Sequence, residues 1–194
     1  MLFRSRRRSR AAGRPGFAFG GSCLPKDLRA LTHTARSVDV DTPLLTNVLV
    51  SNEVQLRHAV DLVIADGRRK VGIFGLSFKP GTDDLRESPM LELAERLIGK
   101  GFDVKIHDAN VILSRLIGAN RRYIDERLPH IGELLTDSVD AVVDHGEILI
   151  VASRAAGIVE ALAHARPDRK IIDLVRLPNA GQLREMSNYQ GISW

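Results

Sequence analysis

Along this chain, the hydrophobic positions first recur with the period of a helix, and further on they cluster in short apolar runs. Between Leu45 and Val63, apolar residues recur at intervals of three and four, which is the period of a helix with one apolar face. Thr42 is a candidate N-cap with Pro43 at the first helical position, and Gly67 is a candidate stop. The predicted helix has about 24 residues and a length of about 36 Å. A helix this long, with a wide apolar face, suits a subunit or domain interface, and simple core packing is equally compatible.

The chain from residue 68 onward alternates short apolar runs with amphipathic stretches. Strands that alternate with helices predict a parallel sheet with helices on both faces, which is an α/β fold. The predicted strands cover residues 70–76, 102–107, 147–152 and 170–175, and the predicted helices cover residues 28–37, 87–99 and 155–165, with a mostly helical stretch and loops over 112–144.

The pattern divides the chain into three parts. Residues 1–13 form a basic tail that we expect to be disordered, because they combine many arginines with little apolar bulk. Residues 14–67 hold a glycine- and proline-rich stretch and the helical region, and residues 68–194 form the α/β domain. Within the second part, the glycines and prolines of residues 14–27 predict an irregular loop rather than a helix or strand.

Charge and composition exclude several classes of protein. The net charge of +4 arises from five arginines within residues 1–10, and the rest of the chain carries −1. Nucleic-acid binding is therefore disfavoured, although the basic tail keeps it as an alternative. The single cysteine excludes an internal disulfide framework and suits a reducing, cytoplasmic compartment. No apolar run reaches the roughly 20 residues of a membrane span, and the six histidines show no metal-ligand spacing.

Cys23 is the first candidate for chemistry. It follows Gly20 and Gly21, which let a ligand approach the backbone closely, and it precedes Lys26, whose ammonium group favours a thiolate. Asp27 could orient a water molecule or a cationic partner. The alternative is a buried, inert cysteine, which is the commonest fate of this residue type.

The loop after the first predicted strand is the second candidate. Ligands of parallel α/β sheets bind outside the carboxyl ends of the strands. Residues 77–89 place glycine, lysine and arginine there, directly before a helix, and this composition suits a phosphate or a nucleotide. The complete G-x-G-x-x-G fingerprint of a dinucleotide site is absent from this position.

Two segments resemble the UDP-glucose/GDP-mannose dehydrogenase family. Residues 16–31 (GFAFGGSCLPKDLRAL), the cysteine segment, are similar to the family's catalytic cysteine motif. Residues 75–89 (GLSFKPGTDDLRESP), the loop segment, are similar to the start of its carboxy-terminal nucleotide-sugar domain. The resemblance covers residues 11 to about 178. It implies a long central dimerisation helix followed by a Rossmann-like sheet.

The resemblance also implies an activity and its residues. The family oxidises a sugar C6 alcohol to a carboxylate with two molecules of NAD, through a cysteine thiohemiacetal and thioester, for polysaccharide precursor synthesis. The motif form around residues 14–24 is nearest to members that oxidise GDP-mannose, with UDP-glucose as the alternative substrate. By this resemblance Cys23 is the nucleophile, Asp27 positions the hydrolytic water, Lys26 and Arg86 contact NAD, and Arg14, Phe17, Gly20 and Lys79 contact the nucleotide sugar.

Other interpretations of these residues stay open. Lys26 and Lys79 could be ordinary solvated lysines, Arg86 could pair with Asp83 or Asp84, and Phe17 could belong to the core. Family members carry an amino-terminal Rossmann domain with most of the NAD contacts, and this sequence begins 22 residues before the cysteine. We therefore expect a homodimeric fragment with little or no dehydrogenase activity of its own, or a non-catalytic module that binds nucleotide sugar.

Overall fold

The computed structural model of this protein describes residues 17–77, 82–111, 118–127 and 130–192. Two helices come first, and a five-stranded sheet with further helices follows. The helices are α1 (Leu24–Ser37), α2 (Pro43–Asp66), α3 (Pro89–Gly99), α4 (Gly118–Arg127), α5 (Ile131–Leu134), α6 (Val139–His145), α7 (Ile158–Ala163) and α8 (Gly181–Arg184), and the strands are β1 (Lys70–Phe74), β2 (Asp103–His107), β3 (Ile148–Val151), β4 (Lys170–Asp173) and β5 (Tyr189–Gly191).

Helix α1 begins earlier than the sequence predicted. The expectation of an irregular loop through residue 27 is wrong for its last four residues, because α1 starts at Leu24. Pro25 lies in the first turn, where a backbone N–H needs no partner within the helix, so proline is tolerated there. The amide of Asp27 donates to the carbonyl oxygen of Cys23 at 2.8 Å and closes this turn.

Helix α2 confirms the predicted long helix. Its 24 residues end at Gly67, which has φ +87° in the left-handed region that glycine adopts most easily. Thr42 precedes the helix as predicted, but its side chain makes no capping hydrogen bond. The buried residues of α2 all lie in its second half, from Leu56 to Val63, whereas Leu44 near its start is 79% exposed.

The sheet is parallel throughout, with the strand order β2-β1-β3-β4-β5. The four predicted strands are present, and β5 was missed because it is short and only half-buried. Ile148 and Ile150 pack into one core cluster, and Leu149 and Val151 pack into the other. Because consecutive residues of a strand point to opposite faces, the two clusters confirm that helices cover both sides.

No helix in the described ranges combines the length and the apolar character that crossing a membrane requires.

Candidate functional site

Cys23 lies at the N-terminus of α1, in the N-cap position. Its thiol is free and exposed, so the alternative of a buried cysteine is wrong. The first peptide N–H groups of a helix point out of its N-terminus and favour negative charge there. The 14-residue helix α1 therefore places Cys23 at a helix N-terminus, where a substrate can reach the sulfur.

Backbone contacts attach the cysteine segment to the carboxyl ends of the strands. The amide of Phe17 donates to the carbonyl oxygen of Leu174, directly after β4, at 3.2 Å. The amide of Gly21 donates to the carbonyl oxygen of Glu87 at 3.1 Å, and the guanidinium of Arg29 donates to the Glu87 carboxylate. The two segments that carry the family resemblance therefore touch each other at the edge where α/β sheets bind ligands.

Gly20 is confined by the loop segment. A β-carbon at this position would lie 2.1 Å from the carbonyl oxygen of Glu87 and 2.6 Å from Cδ of Pro89. This contact is a packing reason for a glycine, and it exists whether or not Gly20 also contacts a substrate.

Arg86 forms a two-point ion pair with Asp84. Its Nε and Nη2 donate to the two carboxylate oxygens at 2.9 and 2.8 Å, so the structure shows one of the pairings that the sequence left open. The hydrogen bond from Arg86 holds the pKa of Asp84 below its ordinary value. The pKa of Arg86 is raised, mainly by hydrogen bonding and charge attraction to Asp84 and, to a smaller extent, by charge attraction to Cys23. The guanidinium therefore lies within electrostatic range of the candidate nucleophile.

Lys26 and Asp27 lie in the first turn of α1 next to Cys23. Their side chains form an ion pair at 3.5 Å, and each is 67% exposed. Because an exposed pair of this kind contributes little to stability, both groups are available to a ligand beside the thiol.

The remaining predicted site residues have different outcomes. Arg14 and Lys79 lie outside the described residues. Phe17 is half-buried against the core, and it also lines a cavity of about 490 Å³ with Phe19, Leu44 and residues of α2. Both interpretations of Phe17, as a core residue and as a wall of a binding site, are therefore compatible with its position.

A cluster of arginines at the same edge of the sheet was missed in the sequence. Arg154, Arg176 and Arg184 line a cavity of about 440 Å³ together with Leu177, Pro178 and Asn179, so none of the described lining residues is a carboxylate. Arg154 donates to the carbonyl oxygen of Val175, and Arg184 donates to that of Leu177. Three like charges around one cavity favour an anionic ligand. The sequence did carry a signal for this cluster, because one arginine lies shortly after the third predicted strand and another lies shortly after the fourth.

Buried Asp173 holds the loop that carries Arg176. Its carboxylate accepts the amides of Val175 and Leu177 at 2.9 and 2.8 Å, on either side of that arginine. The hydroxyl of Tyr189 donates to the same carboxylate. Burial, followed by this hydrogen bond, raises the pKa of Tyr189 well above its ordinary value. Because Tyr189 stays protonated, its hydroxyl keeps donating to Asp173. This hydrogen bond holds the Asp173 carboxylate, which in turn holds the loop that carries Arg176.

Comparisons with known proteins place both segments in one family. The central-domain model of the UDP-glucose/GDP-mannose dehydrogenase family matches residues 2–54, and the UDP-binding-domain model of the same family matches residues 72–154. Together they cover most of the chain.

Individual relatives agree with the family models. The chain is 50% identical over 182 residues to GDP-mannose 6-dehydrogenase of Pseudomonas syringae pv. syringae, covering 93% of this chain and 41% of that protein. The crystal structure of a ternary complex of GDP-mannose dehydrogenase from Pseudomonas aeruginosa matches with a TM-score of 0.84 and 45% identity, over 96% of this chain and 42% of that one. A UDP-glucose dehydrogenase from Pyrobaculum islandicum matches with a TM-score of 0.71 and 29% identity, over 92% and 39%. The chain thus spans about two fifths of the length of these relatives.

Proposed function

Because this chain belongs to the UDP-glucose/GDP-mannose dehydrogenase family, we propose that it supplies the cysteine nucleophile and the nucleotide-sugar site of an NAD-dependent GDP-mannose 6-dehydrogenase. The observation that carries this proposal is the contact between the cysteine segment and the loop segment. It leaves Cys23 exposed at a helix N-terminus, at the ligand-binding edge of a parallel sheet.

Cys23 performs the covalent step. After the sugar C6 alcohol has been oxidised to an aldehyde, the thiolate adds to the carbonyl carbon and forms a thiohemiacetal. A second oxidation removes the hydrogen of that carbon and leaves a thioester. A water molecule held by Asp27 then attacks the thioester carbonyl, the carbon–sulfur bond breaks, and the carboxylate product leaves with the thiolate regenerated. The product is a nucleotide-linked uronate, which suits the synthesis of polysaccharide precursors.

NAD, when bound, accepts one hydride in each of the two oxidations. By the family resemblance Lys26 and Arg86 are the residues of this chain that would contact it, and the Arg86 guanidinium lies within electrostatic range of Cys23. The sheet itself does not fit a dinucleotide. In dinucleotide-binding sheets an acidic residue near the end of the second strand bonds the ribose, whereas here Asp108 accepts the amides of Leu76 and Ser77 at 2.7 and 2.9 Å.

Most of the NAD site must therefore come from other residues than those of this sheet. The described sheet alone does not supply the groups that position the cofactor against the substrate, and positioning accounts for about 7–11 kcal/mol of catalysis in comparable reactions. We expect this chain by itself to show little or no dehydrogenase turnover.

GDP-mannose is the preferred substrate, with UDP-glucose as the alternative. The 50% identical relative is named for the first of these sugars, and the arginine cavity offers positive charge to a diphosphate. The exposed valines of α2 would be covered in a homodimer. A cytoplasmic, reducing compartment would keep the single thiol free.

Two measurements test this function. Calorimetry of the purified chain with GDP-mannose, GDP and UDP-glucose measures recognition, and NADH formation with NAD and either sugar measures turnover. The second assay is run with and without the amino-terminal portion of a GDP-mannose 6-dehydrogenase, with Cys23→Ala as the control. We expect GDP-mannose to bind, and we expect turnover only when the amino-terminal portion is present and Cys23 is intact. Absence of nucleotide binding by the folded chain would overturn the proposal.

A non-catalytic nucleotide-sugar-binding module is the second candidate, and it is favoured by the poor fit of the described sheet to a dinucleotide. It predicts binding without turnover, even with the amino-terminal portion added. The dependence of turnover on Cys23 separates the two candidates.

A further inference from the structure

The side-chain amide of Asn52, on α2, forms two hydrogen bonds with the backbone of Phe19. Its Oδ1 accepts from the Phe19 amide at 2.8 Å, and its Nδ2 donates to the Phe19 carbonyl oxygen at 2.9 Å. Since a backbone N–H only donates and a carbonyl only accepts, the two contacts fix which side of the amide carries the oxygen. Asn52 thus pairs with Phe19 much as a neighbouring strand would.

The backbone between Phe17 and Cys23 lies outside any regular helix or strand. Its amides at Phe17 and Gly21 bond to the α/β domain, through Leu174 and Glu87. The Asn52 pair adds an attachment to α2, between those two points. The chain leading into the N-cap position of α1 is therefore held from two sides, and the position of Cys23 depends on both.

We propose that Asn52 is a positioning residue for Cys23. By fixing Phe19 it fixes the path of the four residues that follow, and it keeps the sulfur at the N-terminus of α1, towards which the first peptide N–H groups of the helix point. The geometry alone carries this positional role. Its importance for turnover rests on the proposed function of Cys23.

The same helix offers a matched control. The side chain of Asn47 donates to the carbonyl oxygen of Pro43 at 2.8 Å, within the first turn of α2, and it is exposed. Asn47→Ala therefore removes an asparagine hydrogen bond from α2 without touching the contact between Asn52 and Phe19.

The test uses the purified chain, whose only thiol is Cys23. The rate of alkylation by iodoacetamide is measured across pH, and hydrogen exchange is followed at the Phe19 amide. In Asn52→Ala we expect exchange at Phe19 to accelerate about tenfold or more, because the acceptor is gone. We expect alkylation at neutral pH to slow about two- to fivefold, the size of a helix-terminus effect. The alkylation difference should vanish at alkaline pH, where the thiol is ionised in both proteins.

Asn52→Asp provides a rescue within one protein and keeps the test valid if Asn52→Ala fails to fold. At neutral pH its carboxylate still accepts from the Phe19 amide, but it repels the Phe19 carbonyl oxygen. At pH below about 4 the protonated carboxyl again has one donor and one acceptor, as the amide does. Exchange protection at Phe19, corrected for the intrinsic effect of pH, should therefore recover on acidification in this variant only.

Unchanged Phe19 exchange and an unchanged alkylation profile in Asn52→Ala would overturn the proposal, and so would equal effects of Asn47→Ala. Neither readout needs nucleotide or turnover. A folded chain with the expected thiol behaviour that fails to bind nucleotide would thus contradict the proposed function alone, and a chain that binds nucleotide without that thiol behaviour would contradict the role of Asn52 alone.

Discussion

Gly20 and the carbonyl oxygen of Glu87 are so close that a β-carbon on the glycine would lie 2.1 Å from that oxygen. Glu87 has φ +51°, a left-handed conformation that is uncommon for residues other than glycine. In this conformation its carbonyl accepts the amide of Gly21, and its side chain accepts from Arg29 of α1. Glu87 of the loop segment thereby holds the cysteine segment at two points, one before Cys23 and one after it.

Gly20→Ala should weaken this contact. The added methyl group would overlap the Glu87 carbonyl and Pro89, and overpacking of this kind costs about 1–3 kcal/mol of unfolding free energy. Urea denaturation measures the change. Gly99→Ala, at the end of α3, is the control because a methyl group added there would have no neighbouring atom within 4 Å, and it should leave stability unchanged or slightly higher. Equal midpoints for the two variants would contradict the expectation.

Arg176→Ala should weaken nucleotide binding. The cavity would lose one of its three positive charges, and a hydrogen bond to a charged group contributes enough to predict about a tenfold weaker affinity for GDP. Calorimetry at two salt concentrations measures the loss and its electrostatic part. Arg166→Ala removes the same charge from a cavity whose lining includes Asp144, Glu147 and Asp168, and it should not affect binding. A similar loss in both variants would indicate a general charge effect instead.

Glu53→Gln should remove a pH-dependent link between α2 and α3. Glu53 bonds Arg96 of α3 at 2.9 Å, and this hydrogen bond holds the pKa of Glu53 below its ordinary 4.5. A lowered folded-state pKa stabilises the fold fully above pH 4.5, and the contribution disappears as pH falls through the folded-state value. The Tm difference between wild type and variant should therefore be largest at neutral pH and shrink in acid.

Exposed Glu185 supplies the control for that experiment, because the described structure shows no ion pair at its side chain. Glu185→Gln should follow the wild-type Tm at every pH. A Tm difference for Glu53→Gln that persists unchanged at low pH would argue against the charge pair as its cause.

The predicted homodimer should depend on the outer face of α2. Val50 and Val54 are one helical turn apart and 56% and 57% exposed, so lysines at both positions would place charges in an apolar contact. Sedimentation velocity should show a dimer for wild type and a monomer for the double variant. Val38→Lys, at a position 63% exposed beyond the end of α1, should stay dimeric. A wild-type monomer at micromolar concentration would contradict this prediction.

Local sequence patterns predicted most helices and strands of this fold, but they predicted fewer of the contacts that form the candidate site. The period of α2 and its stop at Gly67 were visible because both depend on neighbouring residues alone. The start of α1 was misplaced because glycine and proline were taken to exclude a helix, although proline fits the first turn. Strand β5 was missed since its three half-buried residues carry no apolar period.

The sequence by itself determined the family, the order of the long helix α2 and the first four strands, and the identity of the single thiol, because each of these is encoded in contiguous residues. The tertiary structure decided that Glu87 packs on Gly20, that Asn52 holds Phe19, and that Arg154, Arg176 and Arg184 surround one cavity. These contacts join residues from different helices and loops, and the arginine cavity forms only after the parallel strands have brought their carboxyl ends to one edge. Periodicity and motif spacing do not show which residues from different elements lie close together. The packing of the elements determines those contacts.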